Sequence, residues 1–209
     1  MPAGGLYNSA RPAPRRPGQK GRQAMIEMAR WIERQFHDRP AAGTFPMVAE
    51  RLAGTPARVE EKARLIPDDM TSRNIGGAWS FREHVGHLRD LEPLWSVRLD
   101  EFLSGVPELT AADMTNRKTR VARHNDRTPV ELAEAFRSAR AGMMERLEGL
   151  DETAIVREAL HPRLKVPMRL IDLCTFVAEH DDHHLARISE LWRALSGKSS
   201  VLAPDPRFR

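Results

Sequence analysis

From Pro167 to Leu195 the chain carries one sustained helical period, and Gly197 is placed to stop it. On a wheel of about 100° per residue, Leu170, Leu173, Cys174, Val177, Ile188, Leu191, Trp192 and Leu195 fall within about 60° of one direction. Such a stripe has to be covered by other elements. Set into it is the run Glu179-His180-Asp181-Asp182-His183-His184. His184 and Asp181 lie inside the stripe and His180 about 70° from its centre, whereas His183 and Asp182 point well away. A buried carboxylate or imidazole is costly unless something pairs with it. The run is therefore more than a solvated face. His180 and His184, one turn apart, have the spacing that suits a single metal ion. A His-x-x-x-His alone is weakly specific, and a site needs a third ligand from another element.

A second histidine-bearing helix lies in "WSFREHVGHLRDLEPLW". Phe81, Val85, Leu88, Leu91, Trp95, Leu99 and Phe102 define its stripe. His84 falls near the edge and His87 about 100° off the centre, on the flank that a third helix would cover. Periodicity slightly prefers His84, and the pair at i, i+3 could also serve one ion together. Geometry leaves the choice open.

Helical periods separated by turn chemistry fill the rest, and no stretch alternates long enough to read as a strand. A short helix is expected at 22–37. A second is expected at 46–66, interrupted or kinked near Gly54-Thr55-Pro56. A third covers 81–104, capped by Ser80 with Glu83, and a fourth runs from Pro129 to about 149. The last helix should start at Pro167. The expected fold is all-α, a four-helix antiparallel bundle over 22–197 with a short extra N-terminal helix. A disordered basic tail (1–21) and a C-terminal tail (198–209) flank it. The long connection at 105–127, with "TNRKTR" and "RHND", should cross one end of the bundle and help wall a pocket.

Of 33 basic and 29 acidic side chains, five basic and no acidic ones lie in residues 1–22, which leaves 28 against 29 elsewhere. The basic character belongs to the tail, whose composition suits a solubilising extension better than a nucleic-acid-binding face. No run approaches the roughly 18 apolar residues of a membrane span. The start lacks the apolar core of a secretory signal. One cysteine, Cys174, permits no intramolecular disulfide. A cytoplasmic location is expected.

The segments "WSFREHVGHLRDLEPLWSVRL" and "HPRLKVPMRLIDLCTFVAEHDDHHLARI" resemble the DinB-like superfamily. Its members show Trp-Ser, His-Leu-x-Asp-x-Glu and an Arg on the second helix, and His-Asp-x-x-His on the last. The likeness covers roughly residues 46–196. It implies a four-helix bundle, usually a homodimer, with a divalent metal held by His87, His180 and His184. His84 stands where relatives usually have an aliphatic residue. Zinc or nickel is the implied ion, with iron or manganese as alternatives. Characterised members include transferases and an isomerase that use low-molecular-weight thiols such as bacillithiol or mycothiol. One departure is "HPRLKVP", where relatives often read His-Pro-x-x-Gly.

Three neutral imidazoles leave a divalent ion with open positions, the catalytic arrangement. The chemistry expected is a metal- and thiol-dependent S-transferase or a metal-dependent hydrolase acting on a small molecule. The alternative is a noncatalytic bundle with a structural metal that acts through protein partners. Asp181 and Asp90 are candidates to orient the ligating imidazoles, with a surface pairing to Arg89 or Arg98 as the other reading of Asp90. Glu92 and Arg98 read as a structural ion pair. Cys174 reads as a buried apolar residue, and Trp79, Trp95 and Trp192 as core anchors. His124 and His161 receive no role.

Overall fold

The computed structural model describes residues 28–34 and 39–197. Both expected tails lie outside the described residues, as does most of the helix expected at 22–37. Its described part holds only a 3-10 turn at Trp31–Glu33. Seven α-helices follow: α1 Phe45–Leu65, α2 Asp68–Thr71, α3 Phe81–Ser104, α4 Arg117–Val121, α5 Pro129–Leu147, α6 Glu152–Ile155 and α7 Leu170–Leu195. None of the described helices is long and apolar enough to cross a membrane.

Local chemistry sets the starts of the long helices. Ser80 Oγ accepts from the Glu83 N–H at 3.1 Å, while the Glu83 carboxylate accepts from the Ser80 N–H at 2.8 Å. Thr128 and Glu131 repeat this capping box at α5, with Pro129 in its first turn. Gly105 ends α3 in the left-handed region at φ +73°.

Two expectations need correction. α1 runs unbroken through Pro56. Proline at that position removes the N–H that would bond the Leu52 carbonyl, and Arg140 Nη1 from α5 donates to that carbonyl instead, at 3.1 Å. The last helix starts at Leu170 rather than Pro167. Pro167–Arg169 (β2) pairs antiparallel with Glu158–Leu160 (β1), with Ala159 opposite Met168. Three-residue strands are too short for alternation to register in a sequence.

α1, α3, α5 and α7 form the four-helix bundle, and each packs against two neighbours, α1 and α3 both touching α5 and α7. Side-chain pairs give the directions. Arg137 and Arg140 of α5 meet Glu60 and Leu52 of α1, so this pair is antiparallel. His84–His184 and Trp95–Phe176 make α3 and α7 antiparallel. Arg51–Glu179 and Lys62–Ser189 make α1 and α7 parallel. Arg140–Glu92 and Arg146–Asp100 make α3 and α5 parallel. Because α5 begins at the end where α3 began, residues 105–127 must travel back the length of α3. They do so along its side, touching Glu101 through Thr110, Asp90 through Lys118, and Ser80 through Asn125. The connection thus does not merely cross one end of the bundle, as its length had suggested.

The core is in two apolar halves. One gathers Leu52, Leu99, Phe102, Met143, Leu173 and Val177, the other Val59, Phe81, Val85, Leu132, Phe136 and Ile188. Between them lies a buried polar layer centred on Arg140, which is 1% exposed. Nε and Nη2 donate to Glu92 Oε1 at 3.0 and 2.7 Å. Nη1 and Nη2 donate to the Asp181 carboxylate at 2.7 and 3.3 Å. With the Leu52 carbonyl, all five guanidinium donors are used. Burial works against the Arg140 charge, but Asp181 and Glu92 outweigh it and push its pKa up. Burial also raises the Glu92 carboxyl, with Arg140 opposing. Glu92 therefore pairs with Arg140 and not with Arg98, the partner expected from the sequence.

Removing one member of such a cluster strands the others. Arg140→Met should lower the unfolding free energy by about 3–5 kcal/mol in a urea titration. Adding Glu92→Leu and Asp181→Leu should recover most of that loss, because the stranded carboxylates go with it.

Candidate metal centre

The antiparallel pairing of α3 and α7 sets His84 and His87 against His180 and His184. His87, His180 and His184 are 4%, 5% and 2% exposed. Each offers a ring nitrogen to a group whose atoms all lie within 4.8 Å of one another. The ring centres of His180 and His184 are 4.4 Å apart, those of His87 and His184 4.8 Å. Burial, reinforced by the neighbouring imidazoles, drives His180 and His184 well below the ordinary histidine value. Burial lowers His87 to about 3. All three rings are neutral and carry lone pairs.

The surrounding bonds set which nitrogen faces the group. His184 Nδ1 meets His84 Nδ1 at 2.8 Å, which leaves His184 Nε2 facing His180 Nε2 at 3.1 Å. His87 Nδ1 lies 3.1 Å from the Thr119 hydroxyl, which itself donates to Asp90 Oδ2 at 3.3 Å. Since the hydroxyl proton goes to Asp90, the His87 Nδ1–H donates and Nε2 keeps its lone pair. His124 Nε2 donates to the same carboxylate oxygen at 2.8 Å. Burial would raise Asp90, yet the bond and charge of His124, with Arg89 and Lys118, hold it below the ordinary carboxylate range.

These residues fit a divalent cation. Two imidazole nitrogens that each bind zinc at about 2.0–2.1 Å lie roughly 3 Å from one another, as the two Nε2 atoms do. Hydrogen bonding alone does not account for the depth of His180, whose Nδ1 is buried without a partner. Among the described residues neither a carboxylate nor a fourth imidazole joins the group. His84 and Asp90 stand behind His184 and His87.

The wheel placed some residues differently. His183, expected in solvent, is 6% exposed, because the 28–34 segment lies over this part of α7. Trp31 sits against His183 and His180, with ring centres 5.6 and 5.1 Å away, and Arg34 bonds Glu179 at 2.5 Å. Asp182 is half-buried and pairs with Arg51 and Arg58 of α1 at 2.5 and 2.6 Å. Asp181 bonds Arg140, so it does not orient an imidazole by accepting its N–H. Asp90 is buried rather than a surface residue and is linked to His87 by hydrogen bonds through Thr119. Trp79 packs against the ring of His87 at 4.7 Å, which makes it a wall of the site as well as part of the core. Burial pushes the Cys174 thiol up to about 12, as suits a buried apolar residue.

Thr119, His124 and Trp31 were missed in the sequence, since their positions depend on paths that no local pattern encodes. One signal was present for His124. Gly86, next to His87 and inside a helix, is where a side chain would collide with something. A Cβ there would lie 2.2 Å from His124 Cγ.

Residues 33–188 match the family model of the DinB superfamily, and the chain belongs to that superfamily. Comparison with curated proteins gives no match. Among solved structures the fold is similar to that of YfiT from Bacillus subtilis, described as a probable metal-dependent hydrolase with an unusual four-helix bundle topology. The identity is 19% and the TM-score 0.68, over 80% of this chain and 95% of that one.

Gly86→Ala should force the His124 turn away from α3 and cost about 1–3 kcal/mol, despite the better helix propensity of alanine. Thermal melts of Gly86→Ala, His124→Ala and the double variant check this. The double variant should be more stable than the sum of the two single losses predicts.

Proposed function

We propose that this protein is a divalent-metal enzyme acting on a small molecule, with His87, His180 and His184 as the ligands. The observation that carries this reading is the convergence of three buried, neutral imidazoles with no protein carboxylate among them. When bound, a divalent cation there supplies Lewis acidity that lowers the pKa of a coordinated water or thiol. The chain's own residues hold the site in shape. His84 orients His184, and Asp90 through Thr119 fixes the tautomer of His87. Trp79 and Trp31 keep solvent from two sides of the histidine rings.

Hydrolysis is one outcome of such a site and thiol transfer another. The disposition of the acids favours the thiol reading. Asp181 is engaged by Arg140 and Asp90 stands behind His87, so no carboxylate among the described residues serves as a general base beside the histidines. A coordinated thiol needs no such base once its proton is lost.

Protein purified without a histidine tag should contain about one divalent ion per chain and lose it in His184→Ala, by elemental analysis. Thr119→Val should weaken metal affinity about 10- to 100-fold in a competition titration. Unchanged stoichiometry in His184→Ala would remove the site. The cobalt-substituted protein should develop an intense sulfur-to-metal absorption when a low-molecular-weight thiol is added, and His180→Ala should abolish it. A spectrum indifferent to thiols, together with water-dependent ester or amide cleavage, would turn the assignment to a hydrolase. Indifference to both would leave a structural ion.

A further inference from the structure

Arg98 follows His87 by three turns of α3 and lies about 20° from it around the helix, on the same face. It is 2% exposed. Its Nε donates to the Thr110 carbonyl at 2.9 Å, and its guanidinium lies over Trp95, 5.6 Å from the ring centre. Neither contact uses the Nη groups. Among the described residues no carboxylate pairs with Arg98. Glu101, the acid whose charge reaches it, gives one oxygen to the Thr110 N–H at 2.8 Å and the other to the Thr110 hydroxyl. Burial accordingly lowers the Arg98 pKa against the pull of Glu101. A guanidinium this deep without a counter-ion is costly, and the apolar stripe of α3 has no need of it.

A second donor lies on the neighbouring segment. That segment is tied to the Arg98 side through Leu109, next to Thr110, since the Leu109 N–H donates to the Leu160 carbonyl at 3.0 Å. His161 is 5% exposed and directly follows β1. Its Nδ1 accepts from the backbone N–H groups of Arg163 and Leu164 at 3.3 and 3.1 Å, which puts its proton on Nε2. That Nε2–H has no acceptor among the described residues. Burial, then the charges of Arg98 and Arg163, lower His161 to about 4, so the ring is neutral and the tautomer stays fixed. The loop holding it is closed by His161 and Val166, with Lys165 at φ +54°, the position where superfamily relatives often have glycine. The Nη atoms of Arg98 and Nε2 of His161 are not among the sealed, unpartnered polar atoms, which leaves them a solvent opening. Trp95 links the two regions, since its ring centre lies 6.3 Å from that of His180.

We propose that Arg98 and His161 form an anion-binding subsite that takes the carboxylate of the small molecule whose reacting end sits at the three histidines. A guanidinium fork and an imidazole N–H from the adjoining segment supply donors for the two oxygens of a carboxylate. The carboxylate preference stands on Arg98 and His161 alone. Its link to a reacting end rests on the function proposed above.

The test is isothermal titration of the full-length protein, both zinc-loaded and chelator-treated, with mercaptoalkanoates of increasing length and the matching mercaptoalkanamides. At the best chain length the acid should bind about tenfold tighter than the amide. The preference should persist without metal, at lower overall affinity. Arg98→Met should bring the ratio to about one and leave amide affinity unchanged, a result that mere anchoring of Thr110 would not produce. Should Arg98→Met fail to fold, Arg98→Lys, which keeps the charge and loses the fork, should lower the ratio. Equal affinity for acid and amide in the wild type overturns the subsite while leaving the metal assignment intact. Absence of acid binding to either form overturns it too. If metal is never bound but the chelated protein still prefers the acid, the subsite stands and the metal reading falls.

Discussion

The Arg140 guanidinium joins all four long helices, through Leu52 and the α5 backbone it hangs from, and through Glu92 and Asp181. Apolar packing above and below it would tolerate small slides, because Leu, Phe and Met fill similar spaces. Five donors aimed at three acceptor groups tolerate none. The layer also fixes the site, since Asp181 lies between His180 and His184 in sequence and its bond to Arg140 sets the rotation of α7. The histidines face α3 because their neighbour is held toward α5.

Topology supplies what the helices lack. Had α5 run antiparallel to α3, a short turn would have joined them and nothing would lie behind His87. The parallel arrangement requires a return strap, and that strap carries Thr119 and His124 to Asp90. The missing side chain of Gly86 lets it approach. The tautomer of His87, with Nε2 free of a proton, is thus a consequence of connectivity.

What a sequence displays is what is local. The cap at Ser80 was legible because its partner Glu83 lies three residues on, and the start of α5 because proline favours the first helical turn. The histidines of α7 were legible because helical periodicity places them together before any partner is known. Which acid meets which arginine was not legible, and Glu92 was matched to Arg98 when its partner was Arg140 on α5. Yet Arg140 sits on the apolar stripe of α5 with Leu132, Phe136, Met143 and Leu147. A charged residue on such a stripe signals a buried partner, by the same argument that singled out Asp181. His183 escaped because its cover comes from a segment with no helical period in its described part.

Pro56 gives α1 something no other residue type there would, a carbonyl one turn back with no partner within its own helix. An ordinary helix is translationally anonymous, each turn presenting the same saturated backbone as the next. The proline marks a single point along α1, and the arginine of α5 reads that mark. If α5 slid by one turn, Phe136 or Met143 would face the open oxygen, and neither has a donor to give it. The pair works as a vernier between two otherwise smooth rods, and it sets the height of the bundle's polar layer, and so of the histidines, along the bundle axis.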